Sequence, residues 1–140
     1  MRIHLHWDNP EQTIVRWEFE GWIGVLDYMI GINDTASMGI QNGGKADTIL
    51  NLNLKLPLPN RHPRELIKPV LAARSYGLGY VVVVTRNPIA IAIIRATFRA
   101  DRNTGSQVQH GLYVAGSLDA ARQLITQLRA DPTQDIQMKM

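Results

Sequence analysis

At 140 residues, 45% hydrophobic and 19% charged, the chain is sized for one domain with its own core and is too apolar for a disordered segment. There is no cysteine, which excludes disulfides and cysteine-ligated metals and fits a reducing compartment. The net charge of +3 is a mild, mainly arginine-borne excess scattered from Arg2 to Arg129. It lacks the clustered basic face of a nucleic-acid binder, so no nucleic-acid partner is expected.

The longest apolar run, residues 89–94, is far too short to span a membrane. Alternation begins at the first residues, so no secretory leader is expected there, and a cytoplasmic location is. No internal repeat or low-complexity segment interrupts the chain.

Residues 2–8 alternate, with Ile3, Leu5 and Trp7 on one face and His4 and His6 on the other, the period of a half-buried strand. Asp8-Asn9-Pro10-Glu11 is turn chemistry. Residues 13–19 alternate again through Val15, Trp17 and Phe19, so the two runs predict an antiparallel hairpin. Residues 22–41 predict a helix. Trp22, Val25, Leu26, Met29, Ile30 and Asn33 share one face, while Ile23, Tyr28 and Ile32 put apolar groups on the other. Gly24, Gly31 and Gly39 each weaken it by about 1 kcal/mol relative to alanine. Asn42-Gly43-Gly44 ends it.

Residues 46–54 predict the third strand, with Leu50, Leu52 and Leu54 on one face and Asn51 and Asn53 on the other. A second helix is expected over 63–75, opened by Pro63 and kinked at Pro69. Residues 80–85 carry four consecutive valines, the pattern of a strand buried on both faces in a parallel sheet. Asn87 is a cap for a third helix from Pro88 to about Ala100. Residues 108–114 predict the last strand, Ser117 a cap, and 118–130 an amphipathic helix. Residues 131–140 are expected to fray, leaving a single domain over 1–130. The order β-β-α-β-α-β-α-β-α implies an α/β fold with a mixed, mostly parallel five-stranded sheet.

This element order, the phrase Trp7-Asp8-Asn9-Pro10-Glu11-Gln12-Thr13, the run Val81-Val82-Val83-Val84 and the ending Ser117-Leu118-Asp119-Ala120-Ala121-Arg122 resemble the STAS-like domains, the anti-sigma-factor antagonists and their SpoIIAA-like relatives. The resemblance covers residues 2–130. It implies a small regulatory fold that binds protein partners or, in some relatives, a nucleotide or lipid. In phospho-regulated members the loop after the third strand carries a serine at a helix start. The matching stretch here, 55–63, contains no serine or threonine, so the resemblance is to a member without that switch.

Three surfaces draw a functional reading. Lys55, Asn60, Arg61 and His62 follow the third strand, and Arg86 and Asn87 the fourth, at the carboxyl ends where open α/β sheets bind ligands; together they form a candidate anion or lipid-headgroup site. Their plain alternative is a proline-stiffened solvent loop and a simple helix cap. Arg95, Arg99 and Arg102 form a stripe that suits an acidic partner and equally a solvated helix face. The first and third helices are apolar nearly all round, so Trp22, Ile23, Tyr28, Ile32, Ile89 and Ile93 are candidate interface residues of a homodimer. The alternative is that those sides pack within one subunit. His4 and His6 lack the further ligands a metal needs, so no metal is expected. Gly77-Leu78-Gly79 precedes a strand instead of following one and is no dinucleotide fingerprint.

No nucleophile elbow or phosphate loop is present, and the twelve acidic residues are dispersed. The reading is a non-enzymatic regulatory or scaffold domain without a cofactor, self-associating and binding a protein partner. The alternatives are a small-ligand domain and, last, an enzyme built from dispersed residues.

Overall fold

The computed structural model describes residues 3–20, 25–52, 77–88, 91–92 and 112–130. They form one sheet of five strands in the order β1-β2-β3-β4-β5. β1 (Ile3–Trp7) pairs antiparallel with β2 (Ile14–Phe19), and β3 (Asp47–Asn51), β4 (Val81–Val84) and β5 (Leu112–Ala115) follow in parallel. The α/β class and the mixed, mostly parallel sheet are as the sequence predicts. Two complete helices are described, α1 (Val25–Gln41) and α2 (Leu118–Ala130). The helix expected over 63–75 and the frayed tail lie outside the described residues. Of the helix expected from 88, Pro88, Ile91 and Ala92 are described and helical, and Ile91 N–H donates to Asn87 O at 3.0 Å.

The hairpin turn is stitched by one side chain. Asn9 Oδ1 accepts from the N–H groups of Thr13 (3.0 Å) and Ile14 (3.1 Å), and Asn9 Nδ2 donates to Thr13 Oγ1 (2.7 Å). A short polar side chain that bonds its own backbone a few residues on is what such turns select.

Register sets the core. Trp17, Leu50 and Val83 lie side by side across β2, β3 and β4, and Ile49, Val82 and Tyr113 across β3, β4 and β5. Alternate residues of a strand face opposite ways. Leu50, Val81 and Val83 therefore join Ile3, Val15, Trp17 and Phe19 in a cluster closed by Tyr28 and Ile32 of α1. Ile49, Val82 and Val84 join Ile14 and Tyr113 in a second cluster closed by Ala121, Ile125 and Leu128 of α2. The two helices thus cover opposite faces, and all four valines of β4 are buried, as the unbroken run predicts.

Two glycines of α1 do specific work against the sheet. A Cβ on Gly31 would stand 2.9 Å from the Trp17 ring, and one on Gly39 would stand 2.8 Å from the Ala46 backbone nitrogen. Gly31, which weakens the helix by its propensity, is what lets α1 settle on Trp17. The indole Nε1 donates to buried Thr35 Oγ1 at 2.9 Å, and Trp17, Phe19 and Tyr28 stack tilted at 5.9–6.2 Å. Gly43, at φ 87°, closes the helix: its N–H reaches Ile40 O and the Gly44 N–H reaches Gly39 O, both at 3.0 Å. At the other end of the chain Ser117 Oγ caps α2 by accepting from Ala120 N–H at 3.1 Å.

Candidate interaction surfaces

Three regions of the described surface carry chemistry. The first is the carboxyl end of the parallel strands. Arg86 and Asn87 leave β4 exposed, as expected, and Arg86 Nε donates to Gly116 O at 3.0 Å, which ties the β4 exit to the turn that starts α2. Asn87 takes the cap position its sequence predicts: its N–H donates to Thr85 Oγ1 at 3.2 Å, and its carbonyl receives the Ile91 N–H. Lys55, Asn60, Arg61 and His62, the other half of the candidate anion site, lie outside the described residues, as do Arg95, Arg99 and Arg102.

The second region is the part of the sheet on the α2 side that α2 leaves uncovered. Here β1 and β2 turn His4, His6, Arg16 and Glu18 outward, beside Asn51 of β3, whose Nδ2 donates to Glu18 Oε2 at 3.0 Å. This uncovered strip explains why a strand with helices on both faces keeps an asparagine. His4 Nε2 lies 2.7 Å from Glu20 Oε2, both side chains exposed. Among the described residues no group of three or more histidines and acids is placed to hold a metal.

At the border of the strip and α2 sits a charge cluster. Asp8, whose side chain is 1% exposed, accepts from Arg16 Nη1 at 2.7 Å and from Arg122 Nε and Nη2 at 2.8 and 2.9 Å. Arg16 Nε also stands 2.6 Å from Glu18, and Arg122 Nη1 bonds Asp119 at 3.0 Å. Burial alone would raise the Asp8 pKa, but hydrogen bonds and charge from Arg122 and Arg16 outweigh it and hold the carboxyl below its ordinary value. The bond to Asp8 in turn raises the pKa of Arg122. A carboxylate so held is a poor proton acceptor at neutral pH, and the cluster's evident work is to fasten the hairpin to the C-terminal helix across 114 residues of sequence. Two helical turns further on, Arg129 makes a second such bond, 2.6 Å to Asp47 at the start of β3, while Asp47 Oδ1 accepts the Tyr80 N–H at 2.8 Å. Sequence reasoning missed this pair of clamps. Its only local signal is that Arg122 and Arg129 are seven residues apart and so share a helix face.

The third region is the outer side of α1. Tyr28 and Ile32, read as interface residues, face the sheet and are buried, with the Tyr28 hydroxyl pKa pushed up to about 12 by that burial. The large apolar side chains α1 turns to solvent are instead Leu26, Met29, Ile30 and Ile40, exposed to 71%, 51%, 40% and 75%. The helix is apolar on both sides, as predicted, but the faces are assigned the other way round. Trp22, Ile23, Ile89 and Ile93, the remaining interface candidates, lie outside what is described.

No protein-family model matches the chain, and neither a curated protein nor a solved structure matches it significantly. Among the described residues no helix is long and apolar enough to cross a membrane.

Proposed function

We propose that the chain is a non-enzymatic, STAS-like regulatory or scaffold domain that self-associates and binds a protein partner through the outer face of α1. The carrying observation is that all four large exposed hydrophobics among the described residues sit on this one helix. Scattered single apolar residues are ordinary on a protein surface, whereas a contiguous patch marks an interface. Each such side chain fully buried gains about 1.5–3 kcal/mol, the scale needed to hold two surfaces together. An opening hairpin followed by parallel strands, with a serine-capped helix at the end, supports the STAS-like reading. The absence of serine and threonine from residues 55–63 points to partner binding without a serine switch there.

Native mass spectrometry of the intact chain tests this. The wild type is expected at a multiple of 15.7 kDa, and Leu26→Glu with Ile40→Glu at the single-chain mass with an unchanged circular dichroism spectrum. A wild type that stays single at high micromolar concentration would overturn the self-association.

A further inference from the structure

We propose that the second copy lies antiparallel on α1, with the two-fold axis at Asn33. The proposal rests on the self-association reading above and adds its geometry. Leu26, Met29, Ile30, Asn33, Ser37 and Ile40 are all exposed. At 100° per residue they fall within about 100° of helix circumference, opposite the buried Tyr28, Ile32 and Thr35. Leu26, Asn33 and Ile40 recur every seven residues with exposed Met29 between the first two, the spacing of a helix seam that packs against another helix.

The spacing is also symmetric about Asn33. Reversing the helix brings Leu26 onto Ile40 and Met29 onto Ser37, and leaves Asn33 on itself. A two-fold interface requires one patch to complement itself, and this one does so in the antiparallel sense. Leu26 meets the second copy's Ile40 at each end, and the two Asn33 amides, each with a donor and an acceptor, meet on the axis. A single polar residue at such a position fixes register at some cost in stability.

Charge at the helix ends favours the same orientation. Asp27 and Asp34 are the acids of α1, residues 35–41 carry no charge, and the next charged residue, exposed Lys45, is basic. Antiparallel pairing about Asn33 lays the Asp27 end of one helix along the uncharged residues 35–41 of the other, towards the end where Lys45 follows, and keeps Asp34 one residue from the axis. It also opposes the helix dipoles. Parallel pairing aligns the dipoles and sets Asp27 level with Asp27 and Asp34 level with Asp34. Asp27 and Asp34 themselves stand about a quarter turn off the seam, so no carboxylate is buried by the contact.

Because the chain has no cysteine, introduced thiols report the register alone. Asn33→Cys is expected to form a disulfide-linked species of twice 15.7 kDa on mild oxidation. Leu26→Cys and Ile40→Cys are each expected to stay single by themselves and to cross-link to one another when mixed. All three positions are exposed, so folding should survive, and circular dichroism checks it. Self-linking of Leu26→Cys and of Ile40→Cys would overturn the antiparallel register while leaving self-association intact. A wild type that is dimeric by native mass, with no cross-link at any of the three positions, would remove α1 from the interface. A wild type without a dimer would remove the self-association reading itself.

Discussion

The two helices cover opposite faces of the sheet by different means. α1 is held by an aromatic cluster, a close approach at Gly31 and one buried bond from Trp17 to Thr35, and it turns apolar residues outward as well. α2 buries a narrow apolar stripe of Ala121, Ile125 and Leu128, and its flank reaches back to the sheet through Arg122 and Arg129. Gln123, Thr126 and Gln127 then face water. An amphipathic helix such as α2 is complete once it is docked. A helix apolar on both sides is not, and the proposed interaction surface on α1 rests on that difference.

Removing the anchor of α1 breaks the comparison most severely. Trp17→Ala is expected to lower the unfolding free energy by about 3–5 kcal/mol in a denaturant titration, because it empties the centre of the cluster and orphans Thr35. A loss below about 1 kcal/mol would mean that α1 is docked by something other than this cluster.

The α2 side should respond to charge instead. Asp8→Asn leaves two arginines short of their carboxylate; since both are partly exposed and can turn to water, a loss of about 2 kcal/mol is expected, below the full cost of breaking a buried pair. The pH dependence gives the finer test. The folded Asp8 pKa is depressed below its ordinary 3.8, so its contribution is present above that value and is lost as pH falls through the lower, folded value. Wild-type stability should therefore fall below about pH 4 more steeply than that of Asp8→Asn, with thermal melting as the readout. Parallel acid profiles would show that the clamp does not stabilise the fold.

The smallest effect is expected at Arg129→Ala. Arg129 is 40% exposed, and Asp47 keeps the Tyr80 N–H, so about 1 kcal/mol or less should be lost. A loss equal to that of Asp8→Asn would show that the two clamps share the load.

Much of this architecture was legible one segment at a time. The alternation of Ile3, Leu5 and Trp7 against His4 and His6 gave β1 and its faces, the four valines gave a strand buried on both sides, and Ser117 with residues 118–130 gave α2 within its described limits. The candidate site was less legible. Asn87 stands where its cap signal put it and Arg86 lies exposed beside it, but Tyr28 and Ile32 were assigned outward when they point in. A helix apolar on both sides has no sequence period that says which side meets the sheet. The aromatic partners that choose, Trp17 and Phe19, lie on another element.

The sequence by itself therefore determined which of the described segments become strands and helices, because side-chain period and capping act between near neighbours. Only the tertiary structure decided which face of α1 stays exposed, why Gly31 must lack a side chain, and that a turn aspartate is buried between Arg16 and an arginine 114 residues away. These depend on which elements are brought into contact, and a register in space has no trace in local spacing.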